Sequence, residues 1–269
     1  MLSGAGAETA LAGCFPLRPR RRVRGRPFGS MRSSRRGGYF DPVSSRPYRP
    51  GDDLRRIDRH ASARLSAARD GDELIVREHY AEEATGVVLL VDPSPSMALF
   101  PESLPWLHKP SAVETAARLV EASAYRARSP VTRQAAGTAA LAELDAPRST
   151  FVFVVSDFLD APPEEHWLAG LDRGLDLVPV VVQDPVWEQS FPAVDGAVLP
   201  VVDPLDGRMR RIRLRRSEAE ARRAVNETRL AGLLSGLQRL GLDPVVVGTA
   251  DEERILDGFL GWADLRRRL

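Results

Sequence analysis

Four continuous apolar runs, each closed by polar residues, constrain this chain more than any other feature. Gly86-Val-Val-Leu-Leu-Val91 ends at Asp92, and Phe151 to Val155 ends at Ser156-Asp157. Leu177 to Val182 ends at Gln183-Asp184, and Pro244 to Val247 ends at Gly248-Thr249. A short run without polar alternation is the pattern of a parallel strand buried on both faces. Helical stretches are expected between the runs, at Ala112 to Arg126, Gly137 to Leu144, Glu164 to Arg173 and Ser217 to Leu240, with a last helix from Asp251 to about Arg267. In the longest of these, Ala224, Leu230, Leu233, Leu234, Leu237 and Leu240 form one broad apolar face. Alternation of strand and helix predicts an α/β fold, with a mainly parallel open sheet flanked by helices. Ala197 to Val202 and Met209 to Leu214, around Asp206-Gly207, read as a β-hairpin.

The remainder of the 269 residues divides into two further parts. Residues 1–38 combine Gly, Ser, Pro and Arg without an apolar period and read as a disordered basic leader. Residues 39–84 form a β-containing N-terminal appendage, with Ile75 and Val76 at the centre of its strand-like patch, and residues 85–269 form the α/β domain. Net charge is +1, so overall charge gives no reason to expect a polyanion as partner, and nucleic acid is disfavoured. Lys109 is the only lysine among many arginines. The single cysteine, Cys14, cannot form an intrachain disulfide, which suits a reducing compartment. No run reaches the ~18 apolar residues of a membrane span. A cytoplasmic protein is expected.

Ligands of open α/β sheets bind beyond the carboxyl ends of the strands. There, Asp92, Ser94 and Ser96 alternate on one short loop, and Asp157 closes what would be a neighbouring strand. Carboxylates and hydroxyls without His or Cys suit a hard cation, Mg²⁺ or Mn²⁺. The alternative is purely local: the aspartate caps a turn and the serines satisfy its backbone. Pro93 and Pro95 stiffen the same loop.

Asp92-x-Ser94-x-Ser96-Met97, with Val154-Val-Ser-Asp157, resembles the metal-ion-dependent adhesion site of von Willebrand factor A domains. Arg46-Pro-Tyr48-Arg-Pro-Gly51-Asp52-Asp53-Leu-Arg55-Arg-Ile57-Asp58 and Ser62-Ala-Arg64 resemble the signature of the family called domain of unknown function 58. The resemblance implies a von Willebrand A-like, Rossmann-type domain with a metal site at Asp92, Ser94, Ser96 and Asp157. It also implies an AAA+ ATPase of the MoxR type as partner. Thr138 is either the threonine of that site or an N-cap hydroxyl. Arg59 stands where the family usually has Trp, and the membrane helices of many members have no counterpart here.

Between Arg128 and Phe151 no β-like apolar run is visible, so the sheet is expected to lack one or two edge strands. Val87 to Val91 would then lie at an edge, covered by Leu74 to His79 or by a partner chain. The functional expectation is a non-enzymatic, metal-assisted protein-binding adaptor or co-chaperone. A metal-free interaction scaffold is the alternative. A Mg²⁺-dependent phosphoryl-transfer enzyme is a weaker third, because Ser94 stands where a second carboxylate would be required and no Gly-rich phosphate cradle is present. Oligomeric state is not encoded in any of these features.

Overall fold

The computed structural model describes residues 13–20, 26–36, 42–49, 57–69, 74–99, 107–202 and 208–267. The chain forms two compact units, one of residues 21–85 and one of residues 1–20 with 86–269.

The larger unit is built on a five-stranded parallel sheet. With β1 to β3 assigned to the smaller unit, its strands are β4 (Val87–Val91), β5 (Val131–Ala135), β6 (Phe151–Ser156), β7 (Asp176–Val182) and β10 (Val245–Val247). Their spatial order is β10-β7-β6-β4-β5. The four apolar runs of the sequence are thus β4, β6, β7 and β10, and every residue of β6 and β7 is buried. Alternate side chains serve opposite faces. Val88, Leu90, Val152, Val154, Leu177 and Val181 pack on one face with Leu141, Trp167 and Leu237. On β6, Phe151, Phe153 and Val155 alternate with that set, and Phe151 and Phe153 meet the ring of Trp262.

The helices lie where helical spacing predicts them. They are α2 (Lys109–Arg126), α3 (Glu164–Asp172), α4 (Arg216–Arg239) and α5 (Glu252–Arg267), with α1 belonging to the smaller unit. In α4, Leu237 is buried and Leu230, Leu233 and Leu234 pack against the core, whereas Ala224 is exposed. The predicted helix at Gly137 to Leu144 is a short 3-10 segment, Thr138–Ala142. The hairpin forms as β8 (Ala197–Val202) against β9 (Met209–Leu214).

Two expectations about the sheet and the leader are overturned. Val131–Ala135 is a strand, paired in parallel with Val87–Val91, which also pairs with Phe151–Ser156. Val87–Val91 is therefore interior and needs no cover. Ile75–Ala84 pairs instead within its own antiparallel sheet. All five residues of β5 are exposed, so no apolar pattern marks it, and its Thr, Arg and Gln suit a solvated edge. The leader is not wholly loose. Cys14, Phe15 and Leu17 are buried. Phe15 stacks on Phe259 at 4.4 Å and meets Trp262 edge-on at 5.9 Å. Its backbone N–H donates to Ser123 Oγ at 3.0 Å. The partners lie so far along the chain that no local period could announce them. Residues 1–12 fall outside the described residues.

The smaller unit is a three-stranded antiparallel sheet of β1 (Arg26–Arg36), β3 (Ile75–Ala84) and β2 (Pro42–Pro47), in that order, with α1 (Arg59–Arg69). Part of the supposed leader, Arg26–Arg36, is thus a strand. Asp58 caps α1, its Oδ1 accepting from the backbone N–H of His60 and Ala61 at 3.1 and 3.0 Å. The buried Ser62 hydroxyl donates to the Asp58 carbonyl and accepts from the Ile75 N–H at 2.8 Å. These signature residues therefore fasten helix to strand. Residues 50–56, including Gly51, Asp52, Asp53 and Arg55, lie outside the described residues.

Candidate functional site

The order of the parallel strands reverses between β4 and β6, because the chain goes from β4 to β5 on one side and returns to β6 on the other. Such a switch point leaves a crevice at the strands' carboxyl ends, where loops diverge to opposite faces. The loop after β4 carries Asp92, Ser94 and Ser96, and the one after β6 carries Asp157.

Asp92 is half-buried and accepts one local and one long-range hydrogen bond. The Ser94 N–H donates to its Oδ1 at 2.9 Å, closing an Asx turn. The Ser156 hydroxyl donates to its Oδ2 at 2.6 Å, which ties the two strand ends together. Ser94 Oγ and Ser96 Oγ are 3.1 Å apart. After Asp157 the chain turns sharply: Phe158 adopts φ of 48°, rare for a bulky residue, while its ring is buried beside Trp167. The Ser156 hydroxyl accepts the Phe158 N–H at 3.0 Å and so holds that turn.

Asp157 is engaged by a residue that the spacing of the motif does not reveal. Lys109, at the first position of α2, is fully buried. Its Nζ donates to Asp157 Oδ2 at 2.7 Å, to Glu188 Oε1 at 2.7 Å and to the Ser96 carbonyl at 3.1 Å. A cation at a helix N-terminus opposes the helix dipole, so the carboxylates are what make this position tenable. Asp184 fixes the approach: its Oδ2 accepts the Leu107 N–H at 2.7 Å, and its Oδ1 accepts those of Val186 and Trp187. Its own N–H donates to Glu188 Oε2 at 2.8 Å. The Gln183 side-chain amide donates to the Asp157 carbonyl.

Burial pushes the Glu188 carboxyl above the ordinary carboxylate range; the Lys109 ammonium pulls it back, and the nearby Asp157 charge adds to the rise. Burial likewise lowers the Arg229 guanidinium, against the pull of Glu188 and Asp157. Arg229 donates to the Glu188 carbonyl, so a second cation stands at the edge of the cluster.

Of the five expected site residues, four join one network. It runs from Asp92 to Ser94 through the Ser94 N–H, from Ser94 to Ser96 through their hydroxyls, and from the Ser96 carbonyl through Lys109 to Asp157. Thr138 stands apart. Its hydroxyl pairs with His166 Nδ1 at 3.1 Å, and the N-cap position of its segment is Gly137. Among the described residues, no hydrogen bond joins Thr138 to the other four.

Whether these residues suit Mg²⁺ or Mn²⁺ depends on Lys109. The hydroxyl pair and the two aspartates are hard oxygen donors of the right kind. Asp157 Oδ2, however, already faces an ammonium. At ~4 Å and an effective dielectric of ~20, a divalent ion and an ammonium repel by about 8 kcal/mol. As arranged, the donors do not fit a divalent cation beside Lys109. Among the described residues, no group of three or more His, Cys, Asp or Glu is placed to hold a metal. No helix among them is long and apolar enough to cross a membrane.

Residues 44–127 match the profile of the family described as protein of unknown function DUF58. The match supports that family over the stretch that includes Asp58, Ser62, β4, the Asp92 loop and Lys109, and it stops short of Asp157 and Glu188. Searches of curated proteins and of solved structures found no significant match.

Proposed function

We propose that this chain is a cytoplasmic protein-binding adaptor, acting through the switch-point rim of its parallel sheet and working with an AAA+ ATPase of the MoxR type. One observation carries the reading. The acidic side chains at the rim are used to hold the protein's own loops, Asp92 by Ser94 and Ser156, and Asp157 by Lys109. A catalyst would aim a nucleophile or general base at an open position. Here the loops are braced against each other, which pre-organises a surface and lowers the ordering cost of docking. The half-buried Asp92 and Ser94 and the exposed Pro93 and Pro95 are what such a surface offers. The identity of the ATPase rests on the family resemblance.

The internal engagement of Asp157 favours the metal-free form of this reading. The metal-assisted form draws on the Ser94–Ser96 hydroxyl pair, 3.1 Å apart. Titrating nucleotide-free ATPase into the full chain, with chelator and then with Mn²⁺, tests both. The expected result is binding that is indifferent to chelator and weakened by Asp92→Ala. Binding lost on chelation and restored by Mn²⁺ would establish the metal-assisted form. Absence of binding in either condition would remove the ATPase as partner, and turnover of a generic phosphoester would reopen the enzymatic reading.

A further inference from the structure

The position a divalent cation would take at this rim is filled from within the chain: we infer that the Lys109 ammonium is a built-in substitute for a metal ion, and that removing it creates a cation site. Among the described residues, three oxygens from three separate segments converge on Nζ: Ser96 carbonyl after β4, Asp157 Oδ2 after β6 and Glu188 Oε1 after β7. Hard oxygens drawn together from the ends of adjacent strands are the ligands of a small, hard cation. In this protein they surround a protonated amine whose side chain has no solvent exposure.

Composition strengthens the case. Every other basic residue of the Lys/Arg class is Arg, and the one lysine stands here. A guanidinium is a planar fork, whereas an ammonium is a compact point charge that directs its protons outward in three directions. The position thus takes the one cationic side chain that most resembles a metal ion.

The inference deepens the adaptor reading by assigning the rim's cation to the chain itself. It does not depend on the ATPase, so a failed partner titration leaves it standing.

The test is Mn²⁺ binding by calorimetry to the full chain, to Lys109→Ala and to Lys109→Ala/Asp157→Asn. The alanine variant vacates the volume of the side chain and leaves the oxygens. It should bind Mn²⁺ about tenfold or more tightly than the parent, with Mn²⁺ raising its Tm, and the double variant should fall back to the parent's behaviour. Equal Mn²⁺ affinity in parent and Lys109→Ala, or a folded Lys109→Ala that binds none, would overturn the inference. Should Lys109→Ala not fold, the parent itself decides. With one lysine, ¹⁵N-lysine labelling gives one side-chain ammonium signal. Stoichiometric Mn²⁺ should leave that signal sharp, whereas its paramagnetic loss would place the metal beside Lys109 and overturn the inference.

Discussion

Lys109 Nζ stands 2.7 Å from Asp157 Oδ2, with the lysine side chain wholly buried and the aspartate side chain 4% exposed. The two residues start from different elements, α2 and the end of β6, so their pairing closes the crevice from two sides. Glu188 shares the ammonium at the same distance. Buried charges of this kind need not add stability over an apolar replacement, yet losing one partner strands the other.

Lys109→Met keeps most of the volume and removes the charge, leaving Asp157 and Glu188 facing each other. The expected loss in urea unfolding is about 3–5 kcal/mol. Asp157→Asn should cost less, because Glu188 still neutralises Lys109. Combining the two should recover about 1–3 kcal/mol relative to the summed single effects. Strict additivity would show that the pair is not coupled. Amine acylation supplies an independent check: Lys109 should react only after unfolding, since its side chain has no exposure.

Glu188 provides a pH signature. Its folded-state carboxyl is raised above the ordinary 4.5, with burial the largest cause. The folded protein therefore holds this proton more tightly than the unfolded chain does. The resulting stabilisation is complete below 4.5 and is lost as pH rises through the elevated folded value. Glu188→Gln is neutral throughout. Its stability relative to the parent should improve as pH climbs from 4.5, then level off once Glu188 has ionised in the folded parent. Urea midpoints collected over a pH series would show this, and a difference independent of pH would contradict it.

The parallel sheet was legible because burial on both faces leaves uninterrupted apolar runs such as Val87–Val91 and Phe151–Val155. The edge strand Val131–Ala135 was not, because a fully exposed strand needs no apolar residues. Phe15 was hidden for the opposite reason: it is buried, but by Phe259 and Trp262, far along the chain. At the rim, Asp92, Ser94, Ser96 and Asp157 were readable as oxygens at strand ends. Lys109 and Glu188 were not, since each reaches the cluster from an element that carries no motif. The one available signal was the solitary lysine in an arginine-dominated chain.

A second buried ion cluster lies away from the rim. Arg266 has no side-chain exposure; its Nη1 donates to Asp176 Oδ1 at 2.7 Å, its Nε contacts Asp243 Oδ2 at 3.3 Å, and its guanidinium lies 4.4 Å from the Trp262 ring centroid. Asp176 opens β7, so this cluster anchors the end of α5 to the start of a strand. Arg266→Met should cost about 3–5 kcal/mol, and Arg266→Lys should fall between, keeping charge but losing the fork. The exposed Arg216–Glu220 pair offers the contrast. Arg216→Ala there should change stability by no more than about 1 kcal/mol. Similar costs at the two sites would mean that burial is not what gives Arg266 its weight.

Phe15 decides whether the first residues described belong to the fold. Its ring is 1% exposed and lies parallel to Phe259, with an interplanar angle of 2°. Arg20 continues the attachment, its N–H donating to Asp176 Oδ2 at 2.9 Å and its side chain pairing with Asp243. The segment is held by the buried Cys14, Phe15 and Leu17, by the Phe15 and Arg20 N–H groups and by the Arg18 carbonyl, which accepts from Arg266, and the Phe15 ring is the part of it that fills the core. Phe15→Ala is expected to cost about 3–5 kcal/mol, the usual penalty for emptying an aromatic site. The opened cavity would lie against Phe259 and Trp262, so tryptophan fluorescence should change along with the urea midpoint. A loosely tethered leader would leave both unchanged, and that result would mean the segment contributes nothing to the folded state.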